Sequence, residues 1–134
     1  MLLSAVMDDL AAALETIPKL RAHPYWADRI TPPAAVVGWP DPLDYDATYA
    51  RGADTAELPV IVLAGKVDAR SARDTLARYA DGSGEYSVKA AIEAHNACSY
   101  DTARVTRAEF GFSLVAGVEY LAATFYVEIT GKGA

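Results

Sequence analysis

The period of the apolar positions changes several times along the chain, and each change marks an element. Residues 58–64 (LPVIVLA) are apolar at nearly every position, which suits a central strand covered on both faces. In the segment that follows, 68–80, Ala69, Ala72, Leu76 and Ala80 share one helical stripe. All but the leucine are small, so a helix here can lie close to a sheet. The hinge 81–84 (DGSG) leads into a second helix opening near Ser87. Gly82 fits a helix C-cap, and Ser83 or Ser87 fits the N-cap of the next helix, accepting from its free N–H groups.

Upstream, Val6, Met7, Leu10, Leu14 and Ile17 recur at helical spacing over residues 4–17, and Pro18 stops that helix because it cannot donate to the preceding turn. Asp8 and Asp9 are placed near the N-terminus, where the helix dipole favours negative charge. A start at Met7 would leave the first six residues dispensable. Residues 19–31 read as irregular, with Pro24, Tyr25 and Trp26 as an anchor at the core edge, and 34–37 (AAVV) reads as a short strand. Tyr45, Ala47 and Tyr49 alternate with Asp46, Thr48 and Ala50, as in a half-exposed strand. With Gly52 as the turn, 45–50 would pair antiparallel with 58–64. The excursion 38–57, rich in Pro, Asp and Tyr, is of the kind used for contacts.

The C-terminal third alternates with period two. Ala108, Phe110, Phe112 and Leu114 oppose Arg107, Glu109, Gly111 and Ser113. Leu121, Ala123, Phe125, Val127 and Ile129 then oppose Tyr120, Thr124, Tyr126 and Glu128. Ala116 and Gly117 make the turn of this hairpin. The predicted order is α-β-β-β-α-α-β-β: one α+β domain over 1–134, with a largely antiparallel mixed sheet of four to five strands. The N-terminal helix and two central helices pack on one face of that sheet. Tyr120 and Tyr126 lie on the hairpin's polar face, where amphipathic rings suit either a plain strand or a protein contact.

Composition narrows the function classes. At 134 residues and 52% hydrophobic, the chain can build one core without staples. A single cysteine, Cys98, forms no intramolecular disulfide, which suits a reducing cytoplasm. The first residues lack a basic leader and no apolar run approaches a membrane span, so a soluble product is expected. Net charge is −6. The only basic cluster, Arg70, Arg73 and Arg78, is interleaved with Asp68, Asp74 and Asp81, as on a solvated helix face rather than a nucleic-acid footprint.

No stretch carries an evident reaction. The strongest catalytic grouping is His95 with Cys98, three residues apart on one side of a helix, and Asp101 beyond. Cys98 sits among small residues, more like a packing position than an activated nucleophile. His95 and Cys98 fall short of the four donors of a structural zinc site, and the 82–84 glycines lack the lysine of a phosphate loop. Asp8/Asp9 and Asp44/Asp46 sit in solvated positions, unlike an acid/base pair. Catalytic, metal and cofactor residues are therefore predicted to be none.

The order of parts is more informative. It comprises the helix 10–18 (LAAALETIP), 32–37 (PPAAVV), 45–48 (YDAT), 58–64, the helix 68–79, the glycine turn with a small helix 82–92 (GSGEYSVKAAI), and 120–129 (YLAATFYVEI). In this order the chain resembles the tail terminator proteins of long-tailed bacteriophages, also called tail completion or minor tail proteins in actinobacterial phages. The resemblance spans most of the chain through short motifs.

It implies a non-enzymatic virion protein of the tail, assembled in the host cytoplasm. That protein would form a homo-oligomeric ring, hexameric in the family, that caps the tail tube, ends its polymerisation and presents the head–tail joining surface. The implied partners are further copies of the chain, the major tail (tube) protein and the head connector or neck protein. DNA would pass through an acidic bore without specific binding, and no membrane is involved. Within this reading, Tyr45, Tyr49, Arg51, Tyr120 and Tyr126 are the expected subunit or tube contacts. The alternatives are a head-completion or neck connector, and a small enzyme or ligand-binding domain with a pocket around Trp26 and Trp39.

Overall fold

The computed structural model describes residues 2–25, 31–45, 53–66, 70–96, 99–115 and 117–132. The elements are α1 (Leu3–Leu14), β1 (Arg21–His23), β2 (Ala34–Val37), β3 (Leu43–Asp44), β4 (Ala53–Lys66), α2 (Arg70–Ala80), α3 (Val88–Ala94), β5 (Thr102–Val115) and β6 (Val118–Lys132). The fold is α+β with a mixed six-stranded sheet in the order β1-β2-β4-β6-β5, with β3 also paired to β4. Only β1 and β2 run parallel. The N-terminal helix, the two central helices and the C-terminal hairpin appear in the expected sequence, with β1 as an additional strand inside the segment read as irregular.

All three helices join one cluster with one face of the sheet: Val6, Leu10 and Leu14 of α1, Leu76 of α2 and Ile92 of α3 are grouped with Leu58, Val60, Phe125, Val127 and Ile129. Each such side chain withdrawn from water contributes roughly 1.5–3 kcal/mol. The expectation that β4 is covered on both faces is corrected. Alternate residues Ala56, Leu58, Val60 and Val62 are buried under the helices, while Thr55, Glu57, Pro59 and Ile61 on the other face are half-buried. That second face holds only a small cluster, Ala34, Val36, Leu63 and Ala122. The period-two signal was hidden because Pro59, Ile61 and Leu63 are themselves apolar.

Strand β4 is also longer than expected, and this changes the excursion before it. Residues 53–57 are strand, paired through Ala53↔Lys132 to Glu57↔Glu128 with β6. The partner on the other side is β3, with Leu43↔Ala56 and Asp44↔Thr55, whereas Tyr45 is already in a turn and 46–52 lie outside the described residues. The preceding chain follows β4 closely. Gly38 N–H donates to Pro59 O at 2.8 Å and Asp41 N–H to Glu57 O at 2.8 Å. A Cβ on Gly38 would stand 2.9 Å from Pro59 Cγ, so this approach requires glycine.

Helix α1 begins at Leu3, which places Asp8 and Asp9 beyond its first turn, not at its dipole end as expected. Val6 is fully buried, so the segment ahead of Met7 contributes a core residue and is not dispensable as a whole. Asp9 instead accepts a hydrogen bond from Ser99 Oγ, tying α1 to the approach to β5. In the hinge, the left-handed glycine is Gly84 (φ 102), not Gly82, and Ser87 is the N-cap of α3, accepting from Ala90 N–H at 3.1 Å. Close packing of α2 on the sheet is borne out: a Cβ on Gly65 would meet Ala72 Cβ at 3.1 Å. No described helix is long and apolar enough to cross a membrane.

Candidate functional site

The helices are short relative to the strands they cover. A 14-residue strand extends about 46 Å at ~3.3 Å per residue, whereas the 11 residues of α2 span about 16 Å at ~1.5 Å each. The consequence appears at the distal half of the β5–β6 hairpin. Pairing of Phe110 with Ala123 and Phe112 with Leu121 puts these phenylalanines on the helix-bearing face. Yet Phe110 is 61% exposed, and Phe112 and Leu114 are 68% exposed. Between this stripe and α2 lies an apolar groove of about 530 Å³, lined by Leu76, Ala77, Ala80, Phe110 and Leu121, with Arg73 and Asp81 at its margin.

β5 is also a sheet edge. At its proximal end Glu93 accepts from Val105 N–H at 3.1 Å, and Lys89 holds the same carboxylate. The Lys89 hydrogen bond, with help from the Val105 amide, keeps the Glu93 carboxyl below its usual range. The β1 edge is similarly capped, with Glu15 accepting from Ala22 N–H at 3.0 Å. Beside the distal phenylalanines, no such side-chain cap is found among the described residues.

A second exposed group lies on the opposite side of the sheet. Trp39 is 70% and Tyr45 is 74% exposed, with Asp41 and Asp44 exposed between them. Trp39 is thus largely open to solvent, and Trp26, the other residue of the expected ligand pocket, lies outside the described residues.

On the face away from the helices, Tyr126 is engaged within the chain. The Arg107 guanidinium lies 3.9 Å from its ring centroid, its hydroxyl donates to Glu109 at 3.2 Å, and Arg107 pairs with Glu57 at 3.2 Å. Tyr120 packs against the small second cluster. Of the predicted contact residues, then, Tyr120 and Tyr126 share one face, Tyr45 lies across β4 from them, and Tyr49 and Arg51 fall outside the described residues.

His95 and Asp101 line one recess, but not through the predicted helix. α3 ends at Ala94 and His95 is extended, so a helical i, i+3 relation to Cys98 does not hold; Cys98 is outside the described residues. His95, Asn96, Glu93, Tyr100 and Asp101 line a polar recess of about 280 Å³. The Tyr100 hydroxyl is buried with no hydrogen-bond partner among the described residues. Burial, and secondarily the charge of Asp9, raises its pKa above the usual phenol value. Among the described residues no cluster of His, Cys, Asp and Glu is arranged to hold a metal.

No protein-family model matches the chain, and no curated protein matches it in sequence. Sequence reasoning missed Phe110, Phe112 and Leu114 as surface residues. The available signal was one of length: strands of 14 and 15 residues outrun helices of 12, 11 and 7.

Proposed function

We propose that this protein is a ring-forming structural subunit, the tail terminator of a long-tailed bacteriophage, which caps the tail tube, ends its polymerisation and offers the head–tail joining surface. The observation that carries the reading is the pair of unlike exposed patches at opposite sides of one sheet, Phe110–Phe112–Leu114 and Trp39–Tyr45. Two different patches on one subunit support a heterologous contact, the kind that closes rings. The chain's order of elements, which resembles that of the terminators, supports the particular assignment. In this reading no bond is made or broken; the protein works by shape and self-association, with tube protein and neck protein as its other partners.

The test is to add the purified chain to polymerising tube protein. A terminator binds tube ends and halts growth. A neck connector leaves growth unchanged, and that outcome would transfer the assignment to the head side of the same joint.

One observation favours a second reading, a small ligand-binding domain: the recess of Glu93, His95, Asn96 and Asp101 with the orphaned Tyr100 hydroxyl. A monomeric mass in solution together with thermal stabilisation by small polar compounds, lost in Tyr100→Phe, would select it.

A further inference from the structure

We infer that the groove between α2 and the distal β5–β6 hairpin receives residues 39–45 of a second copy of this chain. The inference deepens the self-association in the proposed function and rests on that part of it. Three observations support the choice of occupant.

The first is apolar fit. The groove presents Leu76, Ala77, Ala80, Phe110 and Leu121, and Phe112 and Leu114 continue it beyond. Its volume of about 530 Å³ is ample for an aromatic anchor. Segment 39–45 (WPDPLDY) supplies two exposed aromatic rings, at Trp39 and Tyr45.

The second is charge. In a chain of net charge −6, α2 carries Arg70, Arg73 and Arg78 against Asp74 alone. Arg70, Arg73 and Ala77 recur at helical spacing, which puts the first two arginines beside the groove. Among the described residues Arg73 pairs only with the exposed Asp74, at 2.9 Å, a surface pair of the weak kind that a new partner displaces readily. Residues 39–45 contain two acids, Asp41 and Asp44, and no base. Asp81 also lines the groove, so the match in sign rests on Arg73 and the neighbouring Arg70.

The third is position. Within one chain the two cannot meet: the segment flanks β4 on the side away from β6, whereas the groove's outer wall is β5, on the far side of β6. Three strand spacings of about 4.8 Å separate them. Contact must occur in trans, and because the surfaces differ, an open chain of copies keeps one free patch of each kind, at its two ends, until a ring closes.

The experiment measures the mass of the full chain by light scattering across concentration. Wild type should be multimeric. Arg73→Glu, Asp41→Lys with Asp44→Lys, and Phe110→Ser should each weaken association roughly tenfold or more. All these residues are exposed, so circular dichroism should be unchanged. An equimolar mixture of the Arg73→Glu and Asp41→Lys/Asp44→Lys chains should pair through its wild-type surfaces. Combining all three changes in one chain should recover self-association. As a second measurement, Tyr45→Cys and Ala77→Cys chains should crosslink to each other when mixed and oxidised, with the bridge mapped by mass spectrometry. An oligomer that survives these changes with no such crosslink would overturn this contact and leave the ring reading intact. A wild type that stays monomeric yet halts tube growth would overturn the contact and the free-ring assumption, but not tube capping. Capture of tube protein by the groove, abolished by Phe110→Ser while the oligomer persists, would also overturn it.

Discussion

The two halves of the β5–β6 hairpin carry the same alternation and meet different fates. In the proximal half, Val105 and its partner Val127 lie under α3 and α1 with Leu58 and Ile129, and the apolar face is sealed. In the distal half the same face presents Phe110, Phe112 and Leu114 to solvent. Nothing in the local pattern distinguishes them. The difference is the reach of the helices: α2 covers the sheet only as far as Gly65 and Leu121. Alternation specifies a face, and coverage depends on what else the chain can bring there. An uncovered apolar face on a long edge strand is a liability for a solitary subunit and an asset for an assembling one.

The sharpest break in this comparison is thermodynamic. Leu58→Ala, in the sealed half, should cost about 2–5 kcal/mol of unfolding free energy in denaturant titrations, because the methyl groups removed leave a cavity. Phe112→Ala, in the open half, should change the stability of the subunit by no more than about 0.5 kcal/mol while weakening self-association. Equal losses in both would show that the distal face is covered within the chain.

Smaller effects sharpen the same boundary. Gly65→Ala should cost about 1 kcal/mol, since its Cβ would press Ala72 Cβ at 3.1 Å where α2 approaches β4 most closely. Ser87→Ala should cost a similar amount, about 1 kcal/mol, through loss of the α3 cap over the sealed half.

Acidity should distinguish the halves as well. Glu93 has a lowered pKa when folded, so its contribution is complete above the ordinary carboxylate range and is lost as pH falls through the lowered value. Glu93→Gln should flatten the acid limb of stability and loosen the proximal edge of β5, visible as faster amide exchange at Val105. At the alkaline side the signs reverse. Burial raises the Tyr79 and Tyr100 pKa values, so their contribution is complete below about pH 10 and is lost as pH rises through the raised values. Phenolate absorbance from these two should appear only as the protein unfolds. The smallest expected effect is on DNA: with net charge −6, the chain should show no retention on duplex DNA at physiological salt, and tight retention would contradict an acidic bore.

Much of the architecture was legible. Helical spacing of Val6, Leu10 and Leu14, the small stripe of Ala72 and Leu76, and the two alternating strands each pointed to the element found. The errors cluster where apolar residues occupy both faces or where pairing is non-local. Residues 53–57 look polar and loop-like, yet they are strand because β6 and β3 pair with them on either side. The three residues of β1 have no strand signature at all and depend on β2 and on Glu15. Contact residues are harder to choose from sequence, because tyrosines on a polar face look available until their partners are known. Tyr126 is already held by Arg107 and Glu109.

By itself, the sequence determined the number and kind of the main elements and which side of each is apolar, because periodicity acts over a few residues and needs no distant partner. Only the tertiary structure decided which part of the apolar side stays open. That depends on how far an 11-residue helix reaches along a 14-residue strand and on where the chain crosses the sheet, quantities set by the packing of segments far apart in sequence.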